Sequence, residues 1–175
     1  MASAQVIFCI FCRANRAPAP PCGVAAEAVW MVRLYGAMKK SERTRALLRE
    51  SGEHDLDPHI VSYFELFNEG RYYQAHDVLE ALWLPIRGSK EGDYFKGLIQ
   101  LAGVFVLLSK GRVDPASRLL QRVRFQLRLH SGLVHGLDAG QTLELVEEWE
   151  SHLKQGQAIE AFERGKPRLS WVGAS

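Results

Sequence analysis

His76, Asp77 and Glu80 stand together in the stretch FNEGRYYQAHDVLEALW, Phe67 to Trp83. An imidazole beside two carboxylates can hold a metal ion, or can act as a general base with its orienting acid. On a helix each residue advances about 100°, so His76 and Glu80, at i and i+4, meet on one face. His76 falls at the margin of an apolar arc made by Tyr72, Ala75, Val78, Leu79, Leu82 and Trp83. Glu80 lies one step further round, and Asp77 is expected to face solvent. The catalytic candidates are therefore His76, Glu80 and Asp77, and the metal donors on offer are His76 and Glu80. Two ligands do not make a metal site, and the helix carries no second histidine in an HExxH pattern. The simpler expectation is a polar brace, in which Glu80 fixes the tautomer of a half-buried His76 that bonds onward to another helix.

Gln100 interrupts an otherwise apolar run, GLIQLAGVF. A buried amide needs several hydrogen bonds, and His76 or Glu80 across a helix pair would supply them. Lys96, at i−4 from Gln100, reaches the same polar spot. Gly97 and Gly103 mark a close helix approach or room for a small ligand. On the following helix Arg118, Arg122, Arg124 and Arg128 flank the stripe Leu119, Leu120, Val123 and Leu127. They form either a phosphate or RNA patch or charged heads at the edge of a core. Glu144, Glu147, Glu148 and Glu150 downstream are their expected partners. Trp149, Leu153 and Val146 read as core.

The elements that position these residues are helical. Asp57 as N-cap with Pro58 at the first position opens a helix that stops at Gly70. A second helix runs from about Arg71 to Pro85, and GSKEG forms a loop. A third, about Asp93 to Lys110, is apolar nearly all round from Leu98 to Leu108, which marks the middle of a bundle. Lys96 and Gln100 argue against reading it as a membrane span. A fourth begins at Asp114-Pro115 and runs to about Ser131, and a fifth covers about Gln141 to Lys154. No segment shows convincing period-two alternation, so the class is all-α, a compact bundle of about five helices built from helix–turn–helix pairs.

A faint repeat runs through it at an offset of 41 residues. Leu66, Gly70, Arg71, Ala75 and Leu79 recur as Leu107, Gly111, Arg112, Ala116 and Leu120. These are turn and packing positions. His76, Asp77 and Glu80 become Ser117, Arg118 and Gln121, so the scaffold recurs and the polar trio does not.

The chain of 175 residues is 47% hydrophobic and 24% charged, with a net charge of +2. That is ordinary globular composition and argues against nucleic acid as a partner. Cys9, Cys12 and Cys22 all precede the body, so no disulfide framework holds it, and CIFC lacks the second pair a zinc site needs. Residues 1–54 read as an N-terminal extension of low order, 55–165 as the helical domain and 166–175 as a tail. The extension lacks the basic start of a secretory signal. It is either an organellar transit peptide, given Arg13 and Arg16 with no acid before Glu27, or an over-read start ahead of Met38.

Phe67-Asn68, Gly70, Tyr72, Ala75-His76-Asp77, Glu80 and Trp83, followed by GLIQLAG, resemble the signature of the domain of unknown function 309, a family of small all-helical proteins. The resemblance covers about Pro58 to Leu153. It implies a compact helical bundle with His76, Glu80, Trp83 and Gln100 in a shared polar-aromatic cluster, and it supplies no reaction. Many relatives carry a histidine where this chain has Val106-Leu107, and Gly-Asn where it has Gly111-Arg112. The binding candidates are thus His76, Glu80, Trp83, Gln100, Tyr72 and Asn68. The leading expectation is a non-catalytic, cytoplasmic binding or interaction module (organellar, if the leader is a transit peptide). It would take a small ligand or a protein partner without a membrane, and oligomerisation is left open. The alternative is a metal-dependent or His/Glu-based hydrolase-like enzyme at the same cluster. No cofactor is legible.

Overall fold

The computed structural model describes residues 39–48 and 56–170. The cysteines, the leader and Met38 lie outside them. Seven α-helices occur among the described residues: α1 (Lys40–Leu47), α2 (Pro58–Asn68), α3 (Tyr72–Trp83), α4 (Lys90–Leu108), α5 (Val113–Leu127), α6 (Ala139–Lys154) and α7 (Ala158–Arg164). A short 3-10 turn, Leu84–Ile86, follows α3. The class is all-α. Two helices exceed the sequence expectation: α1 lies inside the stretch assigned to the extension, and α7 is short. No helix among the described residues is long and apolar enough to cross a membrane.

Asp57 caps α2 as its sequence predicts, accepting from the His59 backbone N–H at 2.8 Å, with Pro58 in the first turn. Helix α4 starts three residues earlier than expected. Ser89 accepts from Gly92 N–H at 2.9 Å and so caps it, and Gly92 itself must lack a side chain, because a Cβ there would sit 2.4 Å from the Ile86 carbonyl oxygen. The expected start of α5 at Asp114 is corrected to Val113, with Arg112 at the cap and no side-chain cap bond. The turn from Gly111 leads straight into the helix, and Asp114 serves in the first turn, where an acid favours the helix dipole.

The core is one aromatic and aliphatic cluster built by α2 to α7, with Leu137 of the hairpin and Leu169 of the C-terminal segment. Phe67 packs edge-on to Tyr72 and Phe105, at 5.1 and 5.5 Å between ring centres, and Phe105 to Trp149 at 5.0 Å. Such contacts contribute about 0.5–1.5 kcal/mol each beyond the area they bury. Helix α4 lies in the middle, packed against both α3 and α5. Gly97 permits the second approach, since a Cβ would meet the Leu127 side chain at 2.8 Å. Between α5 and α6 a two-residue hairpin pairs Leu133 with Asp138 and Val134 with Leu137. Its loop residues, His135 and Gly136, both take positive φ, 50° and 79°, as a tight type I′ turn requires. This pairing is too short for a periodic signal, and Asp138 leaves it to cap α6.

Candidate functional site

The face of α3 brings His76, Asp77 and Glu80 together. One donor atom from each lies within 4.8 Å of the others. The helix that carries them is anchored by Tyr72, Ala75, Val78 and Leu79, all buried, so its outer side has a fixed direction. Two sequence expectations are corrected here. Asp77 does not face solvent: its side chain is 19% exposed, against 35% for His76 and 25% for Glu80. Glu80 does not hold the imidazole, because it is engaged by Lys40 instead.

Both corrections have one cause. Helix α1 packs on α3 and lowers Lys40 onto the carboxylates. Its ammonium contacts Glu80, and Asp77 Oδ1 at 3.0 Å. His76 Nδ1 lies 3.4 Å from the same Asp77 oxygen, a long contact. Partial burial works against the Lys40 charge, but the hydrogen bonds to Glu80 and Asp77 outweigh it and hold the ammonium above the ordinary lysine value. The group is therefore a cation through the neutral range. Lys40 stood outside the expected domain, and no spacing rule links it to residues nearly forty positions later.

The remaining candidates disperse. Tyr72 turns inward to the aromatic core, where its buried hydroxyl has no partner among the described residues. Burial raises its pKa, so it stays protonated. Trp83 is half-buried against the core. Asn68 spends its whole amide on the C-terminal segment: Nδ2 donates to the Leu169 carbonyl at 2.9 Å, and Leu169 N–H donates to Oδ1 at 2.8 Å. It is a clasp, and the tail expected to begin at residue 166 is held to the body through at least the buried Leu169. Gln100 has no hydrogen bond to His76 or Glu80. It lines a groove between α4 and α5 together with Lys96, as the i−4 spacing predicts, and with Arg118 and Arg122. Of the α5 arginines, Arg124 finds a glutamate, Glu150, at 3.2 Å.

A second polar cluster was not singled out in the sequence. His135 Nε2 sits 2.7 Å from Glu91, and its ring lies 4.8 Å from Phe95. His130 packs edge-on to Tyr94 at 5.1 Å, and both histidines line a recess of about 480 Å³. Burial, reinforced by Lys90 and opposed by Asp93, holds His130 below the ordinary histidine value. Two histidines bracketed by glycines in HSGLVHG were the available signal.

Residues 60–119 match the family model described as Domain of unknown function (DUF309). The match takes in the α3 cluster and ends within α5, leaving Lys40 outside it. No curated protein and no solved structure matches the chain.

Proposed function

Since residues 60–119 match the DUF309 family model, we propose that the chain is a non-catalytic helical binding module whose recognition face is His76, Asp77 and Glu80 on α3. One observation carries this reading: a single ammonium from a neighbouring helix engages both carboxylates. That is how a protein surface receives a cationic side chain, with Lys40 as the chain's own occupant. A Glu80 neutralised in this way is spent as a counter-ion and does not orient His76 as a base. Trp83 borders the face and supplies apolar area beside the charges.

A metal-dependent enzyme is the second reading, favoured by the convergence of three donor atoms within 4.8 Å. A divalent ion held by His76, Asp77 and Glu80 would displace Lys40 and keep an open position, as catalytic sites with three protein ligands do. Elemental analysis of tag-free protein, wild type beside His76→Ala and Lys40→Ala, separates the two. The binding module predicts no stoichiometric metal in any of them. It also predicts that Lys40→Ala lowers the melting temperature by about 1–4 °C, because an exposed ion pair is worth at most about 1 kcal/mol. Amide exchange across 40–47 should quicken in that variant. Stoichiometric metal that disappears in His76→Ala would sink the module and establish the metal centre.

A further inference from the structure

The 41-residue offset places Arg118 where Asp77 stands and Gln121 where Glu80 stands. The two helices bear these residues on equivalent scaffolds: Ala75 and Ala116 are both fully buried, as are Leu79 and Leu120. On α3 the face in question seats α1. On α5 the corresponding face opens onto an open groove of about 640 Å³, floored by Lys96 and Gln100 of α4 and walled by Arg118, Gln121, Arg122 and Phe125. No carboxylate lines it. Among the described residues none of Lys96, Arg118 and Arg122 has an acidic partner, whereas Arg124 on the neighbouring face does.

Lys96, Arg118 and Arg122 give the groove a positive field with no carboxylate in its lining, which favours an anionic occupant. Arg118 and Arg122, one turn apart, match acids one turn apart on a facing helix. The side-chain oxygens of Gln100 and Gln126, buried and without a partner, leave acceptors for hydroxyl or amide donors. Phe125, on the wall of the groove, is 60% exposed, an apolar anchor of the kind protein interfaces bury. A nucleic acid would meet the cations too, but it would want a free aromatic face for stacking. The Arg128 guanidinium sits over one face of the Phe125 ring, 5.7 Å from its centre, and competes for that stacking surface.

We propose that the α4–α5 groove docks an acidic helix of a partner protein, the charge-reversed counterpart of the seat that α3 offers α1. The proposal does not depend on what α3 binds. It is tested by fluorescence anisotropy with the full chain and three labelled probes. Two are alanine-based helical peptides of about 18 residues, long enough to hold helix in water, one with glutamates at i and i+4 and one with lysines there. The third is an oligouridylate. The expected result is binding of the glutamate helix at low salt, weakened about ten-fold or more by Arg118→Glu with Arg122→Glu. The same variant should gain affinity for the lysine helix. Arg118→Gln with Arg122→Gln provides the loss arm should the reversal disturb folding. Tighter binding of the oligouridylate than of the glutamate helix would overturn the proposal, as would no binding of the glutamate helix or binding that survives the arginine changes.

Discussion

At the α2–α3 corner Gly70 takes φ 79°, and the N–H of Arg71 donates to Leu66 O at 2.8 Å. At the α4–α5 corner Gly111 takes φ 67°, and the N–H of Arg112 donates to Leu107 O at 3.0 Å. Each corner thus ends one helix with a glycine in the left-handed region, where a side chain is strained, and starts the next at once. The two corners part company on their outer faces. The first carries acids covered by a lysine, the second carries cations facing an empty groove. They differ again at the last residue before the turn. Asn68 clasps Leu169, while its counterpart Ser109 bonds only to the carbonyl of Val106 in its own helix. What the contrast teaches is that backbone and core requirements keep two corners alike, while positions facing outward are free to take opposite charges.

The largest effects should be equal at the two corners. Leu79→Ala and Leu120→Ala each remove a fully buried side chain, and each should cost about 2–5 kcal/mol. Urea unfolding measures both, and values differing by more than about 2 kcal/mol would break the equivalence of the corners. The clasp should separate them. Asn68→Ala leaves the Leu169 N–H and carbonyl without their partner and should cost about 1–3 kcal/mol. Ser109→Ala, at an exposed position, should stay within about 0.5 kcal/mol. A chain truncated before Leu169 should erase the Asn68 effect, and persistence of the effect there would refute the clasp.

The smallest effect concerns pH and lies outside both corners. His130 is held below the ordinary histidine value, chiefly by burial. As pH falls past about 6.5, the unfolded chain takes up this proton before the folded one does. Its contribution to stability is therefore complete above that pH and is lost as pH falls through the lowered value. His130→Gln should flatten this part of the curve in unfolding measurements between about pH 7.5 and about pH 5. An unchanged slope would mean that His130 titrates alike in both states.

Much of the scaffold was legible because its signals are local. The Asp57-Pro58 start, the Gly70 stop, the buried run from Leu98 to Leu108 and the recurring alanine and leucine positions each follow from backbone geometry or a helical period. The Ser89 cap and the early start of α4 were missed because a loop rich in glycine and charge looks alike whether or not its serine faces a helix end. The hairpin escaped because two residues per strand cannot show alternation. At the candidate site the gathering of His76 and Glu80 on one face was legible from i, i+4 spacing. Their partners were not. Asp77 was assigned to solvent because a helical wheel describes one helix and does not know that α1 covers that side.

By itself, then, the sequence determined the all-α class, the two glycine corners, the buried side of the central helices and the turn that bears His76, Asp77 and Glu80. These depend on interactions spanning a few residues, where covalent geometry leaves little choice. Only the tertiary structure decided that Lys40 engages both acids, that Asn68 holds Leu169, that Gln100 faces the arginines of α5 rather than His76, and that His135 meets Glu91. Each of those pairs is joined by packing between distant segments. Which polar group meets which is set there by how helices lie against one another, and sequence spacing carries no record of it.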